Sequence, residues 1–132
     1  MQIQYSTEKS PTAAQVIELY NKSALPRPTN DTDRIQKMYE SSNLVITAWH
    51  DDKLVGVCRC ITDWAWSCYL ADLAVDPEYK KSGIGKKLIE LTKEKVGQQV
   101  MILLLSVPTA FDYYPKVGFE KENRAFSMSR KK

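Results

Sequence analysis

Two periodicities divide the chain. Between residues 12 and 42 apolar side chains recur at helical spacing, whereas from Leu44 onward they come in short runs of the kind that strands bury. Residues 2–6 alternate weakly and predict a short first strand. Ser10-Pro11-Thr12 followed by Gln15 is helix-start chemistry, and Val16, Ile17, Leu19 and Tyr20 supply the apolar stripe of a helix over 12–23. The segment LPRPTND (25–31) breaks that helix. Asp31 or Thr32 can cap a second one that turns Ile35, Met38 and Tyr39 inward.

The runs LVITAW (44–49) and LVGVCRCI (54–61), joined by His50-Asp51-Asp52-Lys53, read as an antiparallel hairpin with a four-residue loop. CYLADLAV (68–75) is almost continuously apolar, which predicts a strand covered on both faces. The stretch YKKSGIG then opens a helix with a stripe at Ile84, Leu88, Leu91, Thr92 and Val96, stopped by Gly97. VMILLLSV (100–107) reads as a further buried strand. A strand, a helix and a strand in this order make a right-handed crossover with the strands parallel. A short helix from Pro108 to about Tyr114, then GFE (118–120) and AFSMS (125–129), close the chain.

Length and composition narrow the class. At 132 residues the chain is long enough for one core and short for two, so residues 1–132 are expected to form a single domain. Hydrophobic residues at 43% and charged residues at 27% match ordinary globular usage and exclude a disordered chain. A net charge of +3 is too mild for a general nucleic-acid binder, although a local basic patch could hold a phosphorylated small molecule. Cys58, Cys60 and Cys68 match no zinc or C-x-x-C spacing and His50 stands alone, so no metal is expected. Reduced thiols, a start (MQIQYSTEKSP) without a basic-then-apolar signal, and a longest aliphatic run of only MILLL predict a cytoplasmic protein without a membrane span. The terminal Ser-Arg-Lys-Lys reads as a solvated chain end.

The nine residues YKKSGIGKK (79–87) carry the candidate chemistry. They lie between a strand and a helix, where unpaired backbone N–H groups and the positive end of the helix dipole favour an anion. A Walker A loop would need glycine at Lys80 and Ser or Thr at Lys87. A dinucleotide fingerprint would need glycine at Leu88 and an acid about 20 residues on, where an apolar run stands instead. Both fail.

The stretch does resemble the acetyl-CoA signature of the GNAT N-acetyltransferase superfamily, Q/R-x-x-G-x-G/A after a hydrophobic-x-Val-x-Pro strand end. Here it runs LAVDPEYKKSGIGKKL, with Lys80 in the Gln/Arg position, then Gly83 and Gly85. AFDYYPKVGFE (110–120) is similar to the family's A-x-x-x-Tyr-x-x-x-Gly-Phe segment through Ala110, Tyr114, Gly118 and Phe119. The order of elements agrees along the whole chain. The resemblance implies an α/β (α+β) fold: a central mixed, mostly antiparallel sheet flanked by helices, with a β-α-β acetyl-CoA-binding core.

It also implies roles. Lys80, Lys81, Ser82, Gly83, Ile84, Gly85 and Lys86 would surround the pyrophosphate, and the backbone of Leu73, Ala74 and Val75 would pair with the pantetheine arm. Tyr114 stands where the family carries the tyrosine that protonates the leaving thiolate, while Tyr113 is expected in the core. A free alkylammonium has a pKa of roughly 10.4, so acyl transfer to an amine also needs a proton acceptor. Asp72 is the first candidate, Asp63 the second, and water a rival to both. Trp49, Trp64, Trp66 and Tyr69 could line an aromatic pocket for the amine. Two departures from the family pattern are Pro115 after the tyrosine and Val107 in place of an Asn.

The activity so implied is transfer of an acetyl group from acetyl-CoA to a primary amine without metal or covalent enzyme intermediate, for none of the cysteines has a histidine partner in sequence. Its rival is an acyl-CoA-binding sensor or interaction module with the same fold and little catalysis. Acetyl-CoA and an amine acceptor are the implied partners, nucleic acid and membrane are not, and a homodimer is left open.

Overall fold

A computed structural model describes residues 2–132. Five strands form one sheet in the order β1 (Gln4–Ser6), β2 (Leu44–His50), β3 (Lys53–Thr62), β4 (Ser67–Val75) and β5 (Met101–Leu103). Neighbours are antiparallel except β4 and β5, which are parallel. Helices α1 (Ala13–Ser23) and α2 (Thr32–Glu40) cover one face, and α3 (Ile84–Val96) covers the other. The mixed, mostly antiparallel sheet expected from the sequence is present.

Local chemistry accounts for the helix starts. Thr12 Oγ1 accepts from Gln15 N–H (3.1 Å) while Gln15 Oε1 accepts from Thr12 N–H (2.9 Å), a reciprocal capping box. Asp31 caps α2 by accepting from Arg34 N–H at 3.1 Å. Each helix then buries a stripe: Val16, Leu19 and Tyr20 on α1, Ile35 on α2, and Ile84, Leu88, Ile89, Thr92 and Val96 on α3. Gly56 lets α3 approach the sheet, because a Cβ there would stand 2.8 Å from Ile84 Cγ2 and 3.3 Å from Leu88 Cδ1.

Four expectations are corrected. The β2–β3 connection is a two-residue turn, Asp51-Asp52, with Asp51 at φ 53°. The polar His50 and Lys53 extend the ladder, since backbone pairing does not depend on polarity. Second, β4 is not covered on both faces: Cys68, Leu70, Asp72 and Ala74 are buried, whereas Ser67 and Tyr69 are exposed. A bulge lies behind this pattern, with Arg59 opposite Asp72 and Cys60 opposite Leu70, so that Ala71 has no partner. Before the bulge Cys68 and Leu70 face α3. After it Leu73 and Val75 do, while Asp72 and Ala74 turn to α1.

Third, the apolar run 100–107 yields only three paired residues, because β5 follows β4 from Ser67 to Tyr69 and the two strands then separate. Leu105 is left 58% exposed. Fourth, the helix expected over 108–114 is replaced by two short 3₁₀ turns, Pro108–Ala110 and Tyr114–Val117. Pro115 has no N–H to donate and disfavours helical angles at the residue before it, which stops a continuous helix. The final AFSMS is unpaired, with Phe126 and Met128 98% and 99% exposed.

Candidate functional site

The separation of β4 from β5 makes a slot. Asp76 N–H donates to Val55 O at 2.8 Å, so the backbone of Asp76 points at β3. Strand alternation then aims the N–H and C=O of Leu73 and Val75 at the opposite edge, the one β5 has left. Ala74, whose side chain is buried on the α1 side, aims its backbone at β3. Of the three strand residues singled out in the sequence, two therefore present free peptide groups to the slot.

The slot ends at the start of α3. Residues Pro77–Ser82 form a 3₁₀ turn, Gly83 reverses the chain at φ 71°, and α3 begins at Ile84. Gly83 O accepts from Lys87 N–H (3.1 Å), so the amides of Ile84, Gly85 and Lys86 are the unpaired donors of the first turn. The set of open amides is thus narrower than the sequence suggested. Exposed Lys80, Lys81 and Ser82 lie in the preceding turn, and the lysines supply positive charge there. This turn is fixed from beneath. Buried Asp76 accepts from Glu78 N–H (3.0 Å) and lies 3.4 Å from Lys53 Nζ, while Tyr79 Oη and His50 Nδ1 are 2.6 Å apart.

One tyrosine borders the slot and a second packs against it. Tyr114 packs edge-on against Phe119 (5.6 Å between centroids) and Tyr113 (5.3 Å), and burial pushes its phenol above the ordinary value, so it keeps its proton near neutrality. Tyr113 is not a core residue. It is exposed, and its hydroxyl would stand 2.7 Å from a Cβ placed on Gly85, which puts it beside the first turn of α3.

Asp72 lies on the α1 side of β4, 1% exposed, and is saturated by partners. Tyr20 Oη donates to it at 2.6 Å, Arg59 Nε at 2.7 Å and Arg27 Nε at 2.6 Å. Burial alone would raise its pKa, but the hydrogen bond and charge of Arg59, with Tyr20 and Arg27, outweigh it and hold the carboxyl below the usual range. Arg27 also donates to the bulge carbonyl of Ala71 (2.9 Å), and Arg59 to Ser42 Oγ (3.1 Å). Sequence reasoning missed Arg27, Arg59 and Tyr20 as parts of this network. The available signal was Arg59 itself, a cation inside the apolar run LVGVCRCI, which cannot be buried without a carboxylate.

Asp63, the second acid, forms a turn. Its Oδ1 accepts from Ala65, Trp66 and Ser67 N–H at 2.9, 2.8 and 3.0 Å, and these bonds, Ser67's foremost, depress its pKa. The four aromatics do not converge. Trp49 is buried at the β1 end of the sheet with its indole on Thr47 Oγ1 (2.7 Å), whereas Trp64, Trp66 and Tyr69 are exposed around the β3–β4 turn. Cys58, Cys60 and Cys68 are buried free thiols beneath α3.

A family model described as "Acetyltransferase (GNAT) domain" matches residues 41–121, from just before β2 to just past Phe119. The chain belongs to the GNAT acetyltransferase family. Among curated relatives of this GNAT chain is the Arabidopsis thaliana "GCN5-related N-acetyltransferase 2, chloroplastic", 34% identical over 77 residues, a match covering 54% of this chain and 29% of that protein. That match thus spans under a third of the relative's length. A Staphylococcus aureus protein of unknown function has the same fold, with a TM-score of 0.85 at 20% identity, covering 99% of this chain and 100% of its own. A GNAT family acetyltransferase from Streptococcus pneumoniae superposes with a TM-score of 0.70 at 23% identity over 90% and 88% of the two chains. No helix among the described residues is long and apolar enough to cross a membrane.

Proposed function

We propose that this GNAT chain transfers an acetyl group from acetyl-CoA to a primary amine by direct attack of the amine on the thioester. The observation that carries this reading is the unpaired edge of β4 at Leu73 and Val75, continuous with the open amides of Ile84, Gly85 and Lys86. The first part suits a pantetheine arm with two amides, the second a pyrophosphate. Gly83 fits the group as well, since a Cβ there would meet no atom within 4 Å and the cradle stays open.

In this reading Leu73 and Val75 hold the donor as a strand is held, and a peptide N–H of that edge stabilises charge on the thioester oxygen. Lys80 and Lys81 add attraction for phosphate. Tyr114, kept protonated by burial, gives its proton to the sulfur as the C–S bond breaks. Asp72 acts as a positioning residue and not as the base, because a carboxylate already shared by two guanidinium groups and a phenol has little affinity for another proton. The amine sheds its proton to water.

The test is release of free CoA when the purified chain meets acetyl-CoA and a broad panel of primary amines. Turnover with at least one amine is expected, and Tyr114→Phe should lower kcat by about 10² to 10⁴ while leaving CoA binding by calorimetry unchanged. Tight CoA binding with turnover indifferent to Tyr114→Phe would point instead to the acyl-CoA-binding module. Absence of CoA release with every amine would overturn the reading.

A further inference from the structure

The bulge in β4 decides which peptide groups the slot receives. Ahead of it, Trp66 O accepts from Met101 N–H of β5 at 2.9 Å, while Ser67 O accepts from Asp63 N–H on the β3 side at 3.1 Å. Even-numbered residues there turn their backbone to β5 and odd-numbered ones to β3. Beyond the bulge the assignment is reversed, for Asp76 N–H reaches Val55 O of β3 and Leu73 and Val75 face the slot. The one unmatched residue, Ala71, makes the change.

A bulge leaves a peptide outside the ladder, and here its carbonyl is taken by a side chain from another element. Arg27 Nη2 donates to Ala71 O at 2.9 Å and Arg27 Nε to Asp72 Oδ1 at 2.6 Å, so one planar fork spans both residues of the bulge. The other carboxylate oxygen, Oδ2, accepts from Tyr20 and Arg59, which leaves Arg27 as the group that joins carboxylate to carbonyl. Arg27 stands between Pro26 and Pro28, whose rings fix φ on either side, and its Nη1 donates to Pro26 O at 2.7 Å. Thr29 holds the loop in turn, donating from its N–H to Arg27 O (2.8 Å) and from Oγ1 to Asn21 Oδ1 of α1 (2.8 Å).

We propose that Arg27 is a positioning residue of the slot: it latches the Ala71 bulge, so that the Leu73 peptide, the first past the bulge to face the slot, keeps its N–H aimed at the thioester oxygen. This role rests on the acetyl-transfer reading above. Leu73 lies two residues beyond the latched carbonyl, and a shift of about 1 Å in a group that meets developing charge costs on the order of 10² in rate. Lysine is no substitute at position 27, since a single ammonium on a flexible stem lacks the fork that meets a carboxylate and a carbonyl together. The latch also ties loop 25–31, which joins α1 to α2, directly to the strand that receives the donor.

Arg27→Ala and Arg27→Lys test the latch. The side chain lies on a loop and is 23% exposed, and Asp72 keeps Arg59 and Tyr20 without it, so circular dichroism of both variants should match the parent. In Arg27→Ala, kcat with an amine that the parent acetylates should fall about 10- to 100-fold, while Kd for CoA by calorimetry stays near the parent's. Arg27→Lys should recover little of the loss, whereas methylguanidinium added to Arg27→Ala should restore part of it by refilling the fork. Parent-like kcat in Arg27→Ala, or full recovery in Arg27→Lys, would overturn the proposal. A second readout needs no turnover: the Leu73 amide resonance should shift in Arg27→Ala and move back with methylguanidinium, and an unmoved resonance would refute the latch whatever the chain acetylates. Failure of the parent to release CoA with any amine counts against the acetyl-transfer reading instead, and the resonance then decides on the latch alone.

Discussion

Gly83 and Gly85 are constrained for different reasons. At Gly83 the constraint is conformational, a φ of 71° with open space where a Cβ would go. Gly83→Ala should therefore destabilise the chain by about 1–2 kcal/mol, the cost of a left-handed L-residue, as read from chemical denaturation. At Gly85 the constraint is room, for a methyl there meets the Tyr113 hydroxyl at 2.7 Å. Gly85→Ala should weaken CoA binding measured by calorimetry, and adding Tyr113→Ala should restore part of it. Failure of the second change to rescue the first would mean that the hydroxyl is not the obstacle. The glycines were visible in the sequence as a spaced pair, but the residue that crowds the second lies about thirty positions away, where only the folded chain brings it back.

The elements show which features a sequence can carry. Helix starts were legible because a capping box is written within four consecutive residues, and α3 was legible because its stripe is continuous. The bulge at Ala71 was not. A single unmatched residue exists only relative to the register of β3, and its effect is to hand Asp72 to the α1 face and Leu73 to the α3 face. The end of β5 was hidden for the same reason: the run 100–107 stays apolar while the partner strand turns away. Contact between α3 and the sheet is tight where Gly56 meets Ile84 and Leu88. Leu88→Ala should lose about 2–5 kcal/mol of stability by leaving a cavity. Gly56→Val should cost about 1–3 kcal/mol by the opposite fault, overpacking, with the midpoint of thermal unfolding as the measure of both.

At the scale of the whole molecule the two faces of the sheet differ in kind. The α3 face is a closed apolar layer, whereas the α1 face is crossed by the Tyr39–Tyr20–Asp72–Arg59 chain of polar contacts. Asp72 makes that face sensitive to acid. Its folded pKa is depressed below an unfolded value of about 3.9, so its contribution is fully present above that value and is lost as pH falls through the folded one. Asp72→Asn should flatten the fall in stability below about pH 4 that the parent shows, and at neutral pH should itself cost about 3–5 kcal/mol by leaving Arg59 and Arg27 without a counter-charge. An unchanged acid limb in the variant would locate the titrating group elsewhere. The proposed donor half of the candidate site occupies one loop and one tyrosine segment and so stands in local sequence, while the network around Asp72 is assembled from Tyr20 of α1, Arg27 of the 25–31 loop, Arg59 of β3 and Asp72 of β4, which only the fold brings together.

Three residue pairs hold β5 against β4, from Ser67–Met101 to Tyr69–Leu103, as few as join β1 to β2 and fewer than the seven in each of the two central ladders. Forming that short parallel ladder closes a whole helical crossover for few bonds, which places it, with the equally short β1 ladder, among the last parts of the sheet to assemble and the first to open. One seam of low local stability is thus the mouth of the slot. A molecule that binds the slot of the folded chain alone opposes its opening, so binding and resistance to unfolding rise together, by about 2.7 kcal/mol at a hundredfold excess over Kd.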